Sequence, residues 1–119
     1  MTADPPSNAP DAAAPAVFWS DPERHAAFER WLAPLAESRG LQRQTLRAAS
    51  ADASFRRYLR IDAASGPGLI VMDAPPPQED VRPFMHVATL IEAAGLHGPS
   101  VLASDAERGF LLLTDLGNT

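Results

Sequence analysis

Arginine side chains cluster in the middle of this chain, within the stretch DASFRRYLRI at residues 52–61. Arg56, Arg57 and Arg60 are three of its ten basic residues, and all ten are arginine because the sequence contains no lysine. A guanidinium can offer two parallel N–H donors to a phosphate or a carboxylate. The cluster therefore indicates either an ordinary strand with a solvated edge or a site that binds an anion.

The order of residues in this stretch predicts a β-strand with two unlike faces, because successive side chains of a strand point to opposite sides of the sheet. One face would carry Phe55, Arg57, Leu59 and Ile61, and the other Arg56, Tyr58 and Arg60. Arg57 would then lie among apolar side chains, where its charge is poorly solvated.

Composition excludes several classes of protein. The length of 119 residues corresponds to one domain, and the net charge of −5 argues against nucleic acid as a partner, since such binding depends on a basic face. The absence of cysteine excludes disulfides and thiolate metal sites. His25, His86 and His97 do not have the spacing of metal ligands. The longest apolar runs are too short to span a membrane, so we expect a cytoplasmic protein without a membrane partner.

Hydrophobic periodicity and end signals predict an α+β fold. Ser20-Asp21-Pro22-Glu23 has the spacing of a capping box, and Gly40 is placed to end the helix that starts there. Residues 80–95 predict a second helix. Two polar-rich strands and one apolar strand precede that helix, and a hairpin of apolar strands follows it. We therefore predict a five-stranded antiparallel sheet with a leading helix, another helix between the third and fourth strands, and a proline-rich, disordered lead-in at 1–16.

Three segments in their order resemble the N-terminal lobe of the aminoglycoside phosphotransferase superfamily, and in particular its branch of anomeric N-acetylmuramate/N-acetylglucosamine kinases of peptidoglycan recycling. The segments are DASFRRYLRI, LIVMDAPPPQEDVRPF and AAGLHGPSVLASDAERGFLLLTDLG. The resemblance runs from about Asp21 to Gly117. It implies a kinase-like small lobe over residues 17–119, with ATP and Mg²⁺ as cofactors and the anomeric hydroxyl of an amino sugar as the phosphate acceptor.

The same resemblance implies an incomplete enzyme. In this superfamily the base that activates the acceptor and the ligands of magnesium belong to a second lobe beyond the hinge. The 119 residues are therefore expected to be a fragment that is inactive alone, while the full-length parent is a sugar kinase. Two alternatives stay open: a non-catalytic nucleotide-binding or pseudokinase module of the same fold, and an interaction domain without a nucleotide site.

The resemblance also implies which residues would contact the nucleotide. They comprise Ser54, Phe55, Arg56 and Arg57 near the phosphates, Met72 on the third strand, and Leu113, Thr114, Asp115 and Leu116 at the hinge. The Thr114 carbonyl and the Leu116 N–H would meet adenine through the main chain. The third-strand lysine of kinases is replaced here by Val71 or Met72, so arginine must neutralise the phosphates, with Arg57 as first choice.

Acidic residues near these positions receive structural roles. Asp52 is expected to cap its turn or to pair with Arg56 or Arg57. Glu79 and Asp80 precede the second helix, where negative charge favours the helix N-terminus. Glu92 is expected to be a solvated helix residue.

Overall fold

The computed structural model describes residues 17–51 and 55–115, apart from the side chains of Ser50 and Ala51. The predicted lead-in at 1–16 lies outside this part of the chain. The expected roles of Asp52, Ser54 and Leu116 also fall on residues that are not described.

Within the described part, two helices and five strands follow one another as the sequence predicts. They are α1 (Pro22–Arg39), β1 (Leu41–Ala51), β2 (Arg57–Ala63), β3 (Leu69–Asp73), α2 (Arg82–Ala93), β4 (Val101–Asp105) and β5 (Phe110–Thr114). The strands form one antiparallel sheet in the order β1-β2-β3-β5-β4. This arrangement confirms the predicted α+β architecture of a kinase-like small lobe.

Helix α1 begins one residue later than the capping-box spacing predicts. Asp21 is the N-cap, and its Oδ1 accepts a hydrogen bond of 3.0 Å from the Glu23 N–H. Aspartate caps a helix at least as well as serine does, and Pro22 fits the first helical position, where no N–H is needed. The predicted end is confirmed, since Gly40 adopts a left-handed φ of 67° and its N–H donates to the Ala36 carbonyl.

One face of the sheet, which we call the α1 face, is covered by the leading helix. Phe28 and Leu32 of α1 are buried there against strand residues. These are Leu41, Leu59, Ile61, Val71, Phe110 and Leu112. The burial of this apolar surface holds α1 on the sheet.

The opposite face, which we call the α2 face, carries a second core. Met72, Leu111 and Leu113 are buried there with Ala74 and Val81, which lie on the approach to α2. Strands β3 and β5 are therefore covered on both faces over most of their length. That double burial explains why both strands appear in the sequence as continuous apolar runs.

Strand β2 starts at Arg57, so Phe55 is not part of the strand as predicted, although it lies near Arg57 on the α1 side of the sheet. Phe55 precedes the strand and its side chain is 65% exposed. From Arg57 onwards the predicted alternation is confirmed. Leu59 and Ile61 lie on the α1 face, while Tyr58 packs against the core of the α2 face.

Neither of the two helices in the described ranges is suited to cross a membrane. Neither combines the length and the apolar content that crossing a bilayer would require.

Candidate functional site

Arg57 lies on the α1 face, where it shares the carboxylate of Asp73 with Arg24. Arg57 Nε donates to Asp73 Oδ2 (2.7 Å), while Arg24 donates to Oδ1 from Nε (2.9 Å) and Nη2 (2.6 Å). Each guanidinium also lies over an aromatic ring, Arg57 over Trp19 at 4.5 Å and Arg24 over Phe110 at 4.2 Å. These contacts solvate both charges inside the protein.

This placement separates Arg57 from two other residues expected at the nucleotide. Arg57 pairs with Asp73 across β2 and β3, whereas the next pair along, Tyr58 with Met72, points to the other face. Met72 and Leu113 both belong to the core of the α2 face. One ligand on one face of the sheet cannot contact all three side chains. Arg57 was preferred because an arginine among apolar residues would be poorly solvated, and Asp73 and Trp19 remove that reason. Its contact with a nucleotide remains a prediction.

Arg56 lies at one end of the α2 face, in an ion pair with Glu79. Its Nε and Nη2 donate to Glu79 Oε1 at 3.2 and 3.0 Å. A hydrogen bond with the Tyr58 side chain raises the pKa of Arg56, and the hydrogen bond to Glu79 raises it further against the effect of burial. The guanidinium is therefore a permanent cation held by two side chains.

Arg60 lies towards the other end of the same face and pairs with Asp115. Arg60 Nε donates to Asp115 Oδ2 (3.2 Å) and Nη2 to Oδ1 (3.5 Å). Asp115 directly follows Thr114, the last residue of β5, where the resemblance places the hinge. The hinge end of the face thus carries a second fixed guanidinium.

An apolar strip lies between these two ion pairs. The strand register aligns Tyr58 with Met72, and Arg60 with Ile70 and Leu113. Met72 is fully buried and Leu113 is nearly so, whereas Ile70 is only partly buried. A molecule lying on this face would therefore reach Ile70 and the two arginines, because Met72 and Leu113 are packed among other side chains of the α2-face core, such as Phe84 and Met85. The surface suits a ligand with a flat apolar part and an anionic part.

Thr114 is fixed at the start of the expected hinge. Its N–H donates to the Ser100 carbonyl (3.1 Å), and its Oγ1 accepts from the Ser100 N–H (2.9 Å). Arg56, Thr114 and Asp115 therefore lie towards the two ends of the α2 face, whereas Phe55 lines a groove on the α1 side. The expected roles of these four residues at a nucleotide remain predictions.

Three residues that sequence reasoning did not assign to a site belong to the ion pairs of Arg56 and Arg57. Glu79 was expected to serve the N-terminus of α2, but its carboxylate pairs with Arg56 instead. Asp80 does act at that terminus, because its Oδ1 accepts from the Arg82 N–H at 3.1 Å. The other two are Arg24 and Asp73. One signal pointed to Asp73, a carboxylate that ends the otherwise apolar run LIVMD.

Magnesium ligands are not brought together by the described residues. Across 17–51 and 55–115, no three side chains of histidine, aspartate or glutamate gather as a metal site would require. Glu92 is exposed, in agreement with its expected place at the surface.

Comparison with known proteins gives a consistent result. The family model described as "Phosphotransferase enzyme family" matches residues 45–119. The N-acetylmuramate/N-acetylglucosamine kinase of Pseudomonas aeruginosa is 62% identical over 69 residues, which are 58% of this chain and 20% of that protein. The kinase of the same name from Pseudomonas putida is 56% identical over 73 residues, covering 61% of this chain and 21% of the relative.

A more distant relative is similar over a longer part of the chain. The protein of that name from Neisseria meningitidis serogroup B is 37% identical over 97 residues, covering 82% of this chain and 28% of the relative. The chain therefore spans between 20% and 28% of the length of these three relatives.

Proposed function

This chain belongs to the phosphotransferase enzyme family, and from that membership we propose that it is the ATP-binding lobe of a kinase for an amino sugar. N-acetylmuramate and N-acetylglucosamine are the proposed acceptors, phosphorylated at the anomeric hydroxyl. The observation that carries the proposal is the 62% identity, over 69 residues, with a kinase named for these two sugars.

The α2 face is the proposed place of the nucleotide. Adenine would lie at the hinge end, over Ile70, with its edge towards the main chain of Thr114 and Leu116. The phosphates would extend towards the loop at 52–55 and towards Arg56. The partly buried apolar strip between two arginines supports this orientation, since it matches the apolar base and the anionic tail of ATP. Mg²⁺ would draw its ligands from a second lobe.

Arg56 is the residue that we propose as the phosphate partner, with Glu79 as the positioning residue. Phosphoryl transfer depends mainly on positioning and on stabilising charge, which most kinases achieve with a third-strand lysine held by a helical glutamate. Here Arg56 and Glu79 form an ion pair just before β2 and α2 respectively. An arginine presented in this way could supply the missing charge from a neighbouring element.

A chimera tests the proposed function. The matching 69-residue segment of the P. aeruginosa kinase would be replaced by the segment from this chain, and ATP-dependent phosphorylation of N-acetylmuramate would be measured. We expect activity within about tenfold of the parent, because most contacts of the segment would be retained. A folded chimera that binds ATP but transfers no phosphate would contradict the catalytic proposal and favour the non-catalytic module.

Within that chimera, Arg56→Gln is expected to lower kcat/KM by about 10- to 100-fold, the equivalent of a lost charge-assisted hydrogen bond of about 1.5–3 kcal/mol. Steady-state kinetics with varied ATP would measure the change. Arg108→Gln is the matched control, since Arg108 is an exposed arginine of the turn between β4 and β5. Equal kcat/KM values for the two variants would exclude Arg56 as the phosphate partner.

The unmodified 119-residue chain is expected to show no phosphotransfer on its own, because the described residues provide no magnesium site. The measurement is a coupled assay with ATP, Mg²⁺ and N-acetylmuramate. Turnover above that of a buffer blank, in proportion to the amount of chain added, would contradict this expectation.

A further inference from the structure

Arg60 and Asp115 connect two strands that are not neighbours in the sheet. Arg60 belongs to β2 and Asp115 follows β5, while β3 lies between them. Neighbouring strands lie about 4.8 Å apart, so the link must span roughly 10 Å. The side chain of Arg60 covers most of this distance and donates to both carboxylate oxygens of Asp115, at 3.2 and 3.5 Å.

The register of the sheet shows what this link crosses. Arg60 pairs with Ile70, and Ile70 pairs with Leu113, so the three residues form one row across β2, β3 and β5. Asp115 lies two residues beyond Leu113. From this row the guanidinium runs towards the hinge beside Gly68 and Leu69, next to the part of the α2 face where we place adenine.

We infer that Arg60 is a positioning residue for the nucleotide base, acting through Asp115 on the main chain of the hinge. The inference rests on the proposed function of the α2 face. Adenine recognition by main-chain groups needs those groups at a fixed distance from the apolar surface on which the ring lies. A two-point link from β2 to the hinge supplies that constraint.

Partial exposure argues against a mainly structural role for this pair. The side chains of Arg60 and Asp115 are 36% and 16% exposed, and ion pairs at the surface contribute little to folding. Losing the link should therefore loosen the hinge without unfolding the lobe. Its effect should be seen in binding of the base rather than in binding of the phosphates, which lie towards Arg56.

Two pieces of ATP separate these effects. Adenosine carries the base and ribose, while tripolyphosphate carries only the anionic tail. The 119-residue chain would be titrated with each probe and with ATP, and the dissociation constants followed by NMR. Arg60→Gln should raise the Kd for adenosine at least fivefold and leave the Kd for tripolyphosphate within twofold. Arg56→Gln should show the reverse pattern.

A second variant tests whether Arg60 acts through Asp115. Asp115→Asn should weaken adenosine binding as Arg60→Gln does, and the double variant should bind no more weakly than the weaker single variant. Arg108→Gln is the matched control, because Arg108 pairs with Asp105 at 3.4 Å at the end of β5 that lies away from the hinge. Its Kd for adenosine should stay within twofold of the parent.

Hydrogen exchange gives a readout that needs no ligand. The Thr114 amide donates to the Ser100 carbonyl at the start of the hinge. Its exchange in the nucleotide-free chain should be several-fold faster in Arg60→Gln than in Arg108→Gln, while amides of α1 should be unaffected in both variants.

The outcomes separate this inference from the proposed function. Adenosine binding that is the same in the parent chain and in Arg60→Gln would overturn the inference and leave the proposed function intact. Loss of tripolyphosphate binding in Arg60→Gln would overturn it too, since Arg60 would then be a phosphate ligand. No saturable binding of any of the three probes by the parent chain would overturn the proposed function, and the inference with it.

Discussion

Replacing Asp73 with alanine is expected to lower the free energy of unfolding by about 3–5 kcal/mol, because it would leave two arginines without the carboxylate that they share. Asp73 is only 4% exposed and accepts hydrogen bonds from Arg24 at 2.9 and 2.6 Å and from Arg57 at 2.7 Å. Urea denaturation of the chain, followed by circular dichroism, would measure the loss. A variant without a cooperative transition would have lost so much stability that it is unfolded before urea is added.

The surface residue Glu29 provides the control for this substitution. Glu29 also faces two partners, His25 at 3.4 Å and Arg43 at 3.5 Å, but its side chain is 47% exposed. Glu29→Ala should therefore cost no more than about 1 kcal/mol. Adding Arg57→Met to Asp73→Ala should recover part of the loss, since it removes one unpaired cation. If Asp73→Ala and Glu29→Ala cost the same, the Asp73 cluster does not stabilise the fold.

The order of helices and strands could be predicted because its signals are local. The Asp21 cap, the Gly40 stop and the apolar runs of β3 and β5 act within a few residues of where they stand in the sequence. Even the error at the start of α1 was one residue, since serine and aspartate compete for the same capping role. Local chemistry was thus sufficient for the architecture.

The partners of the arginines could not be predicted in the same way. Arg24 and Asp73 are 49 residues apart, and Arg56 and Glu79 are 23 apart. Which carboxylate meets which guanidinium depends on how α1 and α2 pack on the sheet, and no periodicity encodes that. The preference for Arg57 at the phosphates assumed that an arginine among apolar residues lacks a partner. Arg57 does have partners, because it pairs with Asp73 and lies over the Trp19 ring.

Replacing Gly109 with alanine is expected to lower the free energy of unfolding by about 2–5 kcal/mol. Gly109 ends the turn between β4 and β5 with a φ of +79°, a conformation that costs an L-residue about 1–2 kcal/mol. A Cβ at this position would also overlap the carbonyl oxygen of Ala74 and lie 2.9 Å from its carbonyl carbon. Relieving an overlap with backbone requires movement of the chain, at a further cost of about 1–3 kcal/mol.

Gly66 separates these two contributions, because its φ is +86° and a Cβ there would meet no atom within 4 Å. Gly66→Ala should therefore cost only the conformational part, and the difference between the two variants measures the clash with Ala74. Ala74 directly follows Asp73, and its N–H donates to the Gly109 carbonyl at 2.9 Å. Movement of Ala74 should thus also disturb Asp73, so Gly109→Ala and Asp73→Ala together should cost less than the sum of their separate effects. Strict additivity in denaturation would show that the turn and the Asp73 cluster are independent, and equal costs for Gly66→Ala and Gly109→Ala would show that the overlap is relieved without strain.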